Sequence, residues 1–142
     1  MQVETILQSK GSAVHTVSAG APLSEAVRLL NTHKIGAVVV VDAKGNVAGI
    51  LSERDIVRRL EDDPVKLLAS QVRSAMTAKV ITATKAHTVS QLMELMTRHR
   101  IRHIPVVEGT TLVGIVSIGD VVKRKIEETE QEALALREYI AS

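Results

Sequence analysis

The chain contains no cysteine, tryptophan or phenylalanine, and Tyr139 is its one large aromatic residue. Without cysteine there is neither a disulfide framework nor a thiolate to bind metal or attack a substrate. Without aromatics the core must be aliphatic, and the stacking platforms of single-strand nucleic-acid binders are missing. Long apolar runs are absent too. The opening stretch, MQVETILQSKG, carries Glu4 and is predicted to be neither a signal peptide nor a membrane span, which leads to the expectation of a soluble, cytoplasmic protein. There is no GxxxxGK[ST] or GxGxxG loop, no HExxH, and no serine with an evident histidine base, so an enzyme is not expected. A formal charge of only +2, with no dense basic run, leaves nucleic-acid binding as a remote alternative.

What is present is a stretch written twice. GILSERDIV at 49–57 returns as GIVSIGDVV at 114–122. Each copy has a glycine, an apolar pair that ends a strand, a serine, and an aspartate three residues on. Beyond the aspartates, Ile56, Val57 and Leu60, and then Val121, Val122 and Ile126, recur at helical spacing. Each serine and aspartate therefore lies at a strand-to-helix junction, where unpaired N–H groups and the helix dipole favour an anion. A hydroxyl and a carboxylate beside such a site suit a ligand bearing both hydroxyls and phosphate. Plain helix capping accounts for either copy alone equally well.

With 142 residues the chain buries about two-thirds of its unfolded surface, enough for a genuine core. In chain order, Met1 to Gly11 reads as an amphipathic arm with Val3, Ile6 and Leu7 on one side. Val14 to Val17 is β-prone. A helix opened by Ser24 carries Leu23, Val27 and Leu30 on its apolar face and ends near His33. Ala37 to Val41 is a β-branched strand buried on both faces, and Val47 to Leu51 returns after the turn chemistry of Asp42, Lys44, Gly45 and Asn46. Helix Glu53 to Leu60 closes the unit. After a charged stretch with Pro64 the pattern begins again. Val80 to Ala83 matches the first strand, and Thr88 to His99 matches the helix, with Val89, Met93 and Met96 inward. Ile104 to Val107 and Leu112 to Val116 match the remaining pair. The chain is an internal repeat, element by element.

This order of elements, the GILSERDIV and GIVSIGDVV pair, SAMT at 74–77 and HRIRHIPVV at 99–107 resemble a tandem pair of cystathionine-β-synthase (CBS) domains. The resemblance covers about Val14 to Ile126. It implies an α/β (α+β type) fold of two βαββα repeats packed as a pseudo-twofold CBS pair, or Bateman module. The expected division is an arm at 1–13, repeats at 14–62 and 74–126, a linker at 63–73, and a helical extension at 127–142.

The resemblance also implies two clefts that bind adenosine compounds: AMP first, with ADP, ATP, NAD(H) and S-adenosylmethionine as further candidates. Residue by residue, Asp55 and Asp120 match the ribose-binding aspartate. Ser52 and Ser117 match the hydroxyl that reaches ribose or phosphate, and Arg54, Arg102 and His103 stand where basic residues face phosphate. Thr16, Val17, Ala37 and Val38, or Thr82, Ala83, Ile104 and Pro105, would make the adenine slots; the valines read as plain sheet core too. Arg102, His103 and Arg54 have Gly36, Ala37 and Gly119 as counterparts, so the clefts are expected to be chemically unequal. His99 and His103 are four apart, but Pro105 ends the helical reading between them, so no metal site is expected. His15, His33 and His87 read as isolated.

From Ile118 one long helical pattern runs onward, with Val122, Ile126, Thr129, Ala133, Leu136 and Ile140 in a stripe that needs a partner surface. In relatives two modules commonly stack into a homodimeric disc. The reading is a regulatory, nucleotide-sensing module acting on a separate effector protein. The alternative is an interaction or dimerisation scaffold without a physiological nucleotide.

Overall fold

The computed structural model describes residues 1–142. Its elements are α1 (Val3–Lys10), β1 (Thr16–Ser18), α2 (Leu23–His33), β2 (Ala37–Val41), β3 (Val47–Ser52), α3 (Glu53–Arg58), α4 (Pro64–Ala69), α5 (Val89–His99), β4 (His103–Glu108), β5 (Thr111–Ser117) and α6 (Ile118–Ala141), with a 3₁₀ turn at Val72–Ser74. β2 is the centre of a three-stranded sheet, parallel to β1 and antiparallel to β3. Val38 and Val40 enter the first core with Leu23, Ala26, Leu30 and Leu51. Val39, on the opposite face by strand alternation, is fully buried as well, so both faces of β2 are covered.

The second repeat pairs β4 with β5 in the same register, one residue offset at the turn. Its expected first strand, Val80 to Ala83, shrinks to a single bridge between Ala83 and Val106. The cause is Pro105. In the first repeat the Val39 N–H donates to the His15 carbonyl at 3.4 Å, and the residue that would do the same for the second repeat is Pro105, which has no N–H. Only the two bonds of Ala83, its N–H to Pro105 and its carbonyl from Val107, remain.

The helices bury a slightly different face from the one expected. Ala26, not Val27, faces the first core, and Leu92, not the exposed Met93, faces the second. Positions i+3 and i+4 lie about equally far from the middle of a stripe set by i and i+7. Sequence spacing cannot choose between them; the side on which the sheet lies does. α2 starts at Leu23 rather than Ser24, because the Leu23 N–H is taken by the Ser70 carbonyl at 2.8 Å instead of by a serine cap.

The segments preceding the repeats are exchanged. Leu67, Val72 and Ala75, which precede the second repeat, complete the first core, whereas Val3, Ile6 and Leu7 of α1 complete the second. The backbone bonds correspond. Val72 N–H donates to Ala21 and Leu23 N–H to Ser70; Val3 N–H donates to His87 and Val89 N–H to Met1. Both exchanges press on a glycine. A β-carbon at Gly49 would lie 2.6 Å from Met76 Sδ and 2.8 Å from the Thr77 carbonyl oxygen, and one at Gly114 would lie 2.6 Å from Leu7 Cδ2.

These contacts predict unequal costs. Leu7 can turn aside, but the Thr77 carbonyl is backbone. Gly49→Ala should destabilise by about 1–3 kcal/mol and Gly114→Ala by clearly less, while Leu7→Ala should cost about 2–5 kcal/mol if α1 is part of the core. Urea unfolding of the three variants checks the order.

Candidate functional site

Each repeat ends its hairpin at a serine that caps the next helix. Ser52 precedes α3: its N–H and Oγ lie 2.9 and 3.0 Å from Asp55 Oδ2, and the Asp55 N–H donates back to Ser52 Oγ at 3.3 Å. Ser117 precedes α6 and repeats the arrangement with Asp120 at 2.8, 3.0 and 3.2 Å. Both are complete capping boxes. The caps fix Asp55 in the lining of a cleft between the repeats and Asp120 beside Ser117, which lines a second.

The first cleft, about 590 Å³, is lined by Ser52, Glu53, Arg54, Asp55 and Arg58 from the first repeat and by His99 to His103 from the second, with Gly36, Ile50 and Thr77. That volume lies in the range of small-molecule sites. Four arginines, Arg54, Arg58, Arg100 and Arg102, converge on it. Thr77 Oγ1 donates to the other oxygen of Asp55, Oδ1, at 3.3 Å. The second cleft, about 370 Å³, is less basic and more apolar: Lys10, Ala13, Val14, His15, Lys34, Ile35, Gly36, Ala37, His103, Ile115 and Ser117 line it. Beside it Asp120 is already paired, since Lys10 Nζ donates to its Oδ2 at 2.7 Å and to the Ile115 carbonyl at 2.9 Å.

The electrostatics follow from these partners. Burial works to raise the Asp120 carboxyl, but the hydrogen bonds from Lys10 and Ser117 outweigh it and hold the pKa below its ordinary value. Burial pushes the His103 imidazole down, the Lys10 ammonium adds to that, and Glu53 and Asp120 pull only partly the other way. Lys34 and Arg100, the residues that end α2 and α5, both have left-handed backbones, φ 52° and 53°. Each places a cation at the mouth of one cleft in a conformation that costs about 1–2 kcal/mol without glycine.

Of the residues expected in the sites, Ser52, Arg54, Asp55, Arg102 and His103 share the first cleft. Ser117 and Ala37 line the second, where His103 reappears, but Asp120 is in neither lining and lies behind Ser117 and Lys10, which bond it. The adenine-slot residues divide differently. Val17, Val38, Ala83 and Ile104 have their side chains in the two cores, Pro105 is buried, and Thr16 and Thr82 are exposed outside both clefts. Sequence reasoning missed Lys10, Thr77, Arg58, Arg100 and Lys34. Lys10 and Thr77 belong to segments that reach the aspartates only through the exchange. His15 and His33, expected to be isolated, stack with ring centroids 3.6 Å apart. No group of three or more His, Asp or Glu side chains is arranged to hold a metal ion.

Comparison with known proteins fits this geometry. The family model for the CBS domain matches residues 10–62 and again 70–127. A CBS-domain containing protein from Agrobacterium tumefaciens, of known crystal structure, is 46% identical and superposes with a TM-score of 0.83 over 87% of this chain and 92% of that one. The mitochondrial CBS domain-containing protein CBSX3 of Arabidopsis thaliana is 34% identical over 97% of this chain and 71% of its own length. The CBS domain pair of protein MJ0100, solved in complex with 5-methylthioadenosine and S-adenosyl-L-methionine, is 26% identical, with a TM-score of 0.80 over 90% of this chain and 98% of that one. One family model matched twice in tandem, on a structure that superposes with solved CBS proteins over most of its length, makes this chain a member of the CBS-domain family, built as a pair of CBS repeats.

Proposed function

We propose that the protein is a regulatory module that binds an adenine nucleotide, AMP first among the candidates, and acts on a separate partner protein instead of catalysing a reaction. The observation that carries this is the first cleft. It sets a carboxylate that can accept two hydroxyl donors, Asp55, against four arginines contributed by both repeats. A ribose would use the carboxylate, and the arginines' planar forks suit phosphate oxygens. The adenosyl ligands of the MJ0100 pair support the same ligand class. Because the arginines come from both repeats, a bound phosphate would draw them together, and differential affinity for two arrangements is what a ligand-driven switch requires. The scaffold reading is favoured by one observation: both capping boxes are complete on their own terms.

Titration calorimetry with AMP, ADP, ATP, NADH and S-adenosylmethionine separates the two. Asp55→Ala should weaken binding in the first cleft by about 2 kcal/mol, the scale of a hydrogen bond to a charged group, and Asp120→Ala should leave that cleft nearly unchanged. No binding of any of the five at millimolar concentration would establish the scaffold.

Arg100 gives a sharper expectation. Arg100→Gly should raise stability in urea by about 1 kcal/mol by removing a left-handed side chain, and should weaken ATP binding more than adenosine binding. Equal losses for the two ligands would take Arg100 out of phosphate recognition.

The same module is proposed to be a homodimer. Along α6 only Val121 is buried, while Val122, Ile126, Leu136 and Ile140 stay exposed, as do Val57 in α3 and Leu60 just after it. Ending the chain after Lys125 should lower the sedimentation mass from dimer to monomer. An unchanged dimer of equal stability would remove α6 from the interface.

A further inference from the structure

The two repeats solve the same local problem with different chemistry. In the first, the carbonyl of Ile50 accepts from the Thr77 N–H at 2.9 Å, and Asp55 accepts from the Thr77 hydroxyl at 3.3 Å. In the second, one ammonium does both tasks: Lys10 Nζ bonds the Ile115 carbonyl at 2.9 Å and Asp120 at 2.7 Å. The neutral hydroxyl leaves Asp55 without a directly paired cation. The ammonium cancels the charge on Asp120. Lys10 also lines the second cleft, and its side chain and that of Asp120 remain 31% and 23% exposed, so the pair is open to displacement.

We infer that Lys10 determines which ligands the second cleft accepts, acting as an internal competitor for the Asp120 carboxylate. The inference rests on the proposed nucleotide-binding reading and assigns a residue to it. A neutral diol such as the ribose of adenosine must displace the ammonium and gives it nothing in return. A ligand with a phosphate displaces the same ammonium and supplies a new anion for it to face. Lys10 therefore biases this cleft toward phosphorylated ligands, even though the larger basic cluster belongs to the first cleft. Because Val3, Ile6 and Leu7 hold α1 in the second core, only the end of the helix is released when the pair opens.

The test uses the full chain with Asp55→Ala, which weakens the first cleft about thirtyfold so that the second can be read separately, and adds Lys10→Gln. Glutamine keeps a donor for the Ile115 carbonyl and removes the charge. Partly exposed ion pairs are weak, so adenosine should bind about two- to fivefold more tightly in the double variant, and the preference for AMP over adenosine should fall. Lys10→Met in the same background is the second variant, with thermal unfolding recorded for both to separate loss of fold from loss of competition. Adenosine binding that is unchanged or weaker in folded variants overturns the role of Lys10 while the nucleotide reading stands. If wild type, Asp55→Ala and both double variants bind neither ligand, the nucleotide reading fails and the inference falls with it.

Discussion

The exchange of leading segments is the constraint on which the rest of the structure depends. Each repeat lacks part of its own core, and the missing part comes from the residues that introduce the other repeat: 70–76 for the first, 1–7 for the second. The glycines make this possible. Gly49 and Gly114 sit in the closing strand of each hairpin, opposite Val40 and Val106, where the incoming segment leaves no room for a β-carbon. Because each core is finished by chain from elsewhere, neither repeat is self-sufficient. The pair is the unit of stability, as in repeat proteins whose modules cannot bury their apolar faces alone.

The same exchange decides the chemistry of the clefts. Carrying Met76 onto Gly49 brings Thr77 to Asp55, and carrying Leu7 onto Gly114 brings Lys10 to Asp120. The backbone roles match, but the side chains do not. A hydroxyl on one side and an ammonium on the other turn two equivalent carboxylates into an anionic acceptor and a neutralised one. The arginines deepen the difference. Arg102 in the first cleft stands where Gly36 stands in the second, and both carbonyls serve the same purpose: Gly36 accepts from the Glu53 N–H at 2.9 Å and Arg102 from the Ile118 N–H at 2.8 Å. A shared backbone frame thus holds two clefts that differ in their side-chain chemistry.

The repeat, the two junctions and the order of elements were legible in the sequence because they rest on local patterns: alternation, helical spacing, and a serine three residues before an aspartate. The convergence of Arg54, Asp55, Arg102 and His103 was legible only through the resemblance, since no local pattern joins residues 54 and 102. Three features were not legible, each for a physical reason. The loss of the second repeat's first strand depends on a proline in its neighbour, not on its own β-prone residues. The choice of Ala26 and Leu92 over Val27 and Met93 depends on where the sheet lies. Lys10 carries no pattern of its own in the arm, and only the packing of α1 on the second repeat shows what its ammonium reaches.

The clefts also share a wall. Gly36 and His103 line both, and a β-carbon on Gly36 would lie 3.2 Å from the His103 ring. The imidazole is held down by burial and by Lys10 of the second cleft, and drawn up by Glu53 of the first and by Asp120, the partner of Lys10. Charges of both repeats therefore meet on one side chain, and any coupling between the clefts through this wall would have to act equally in both directions. Gly36 keeps that wall one side chain thick. A β-carbon there would thicken the wall and oblige the ring to give by a few tenths of an ångström.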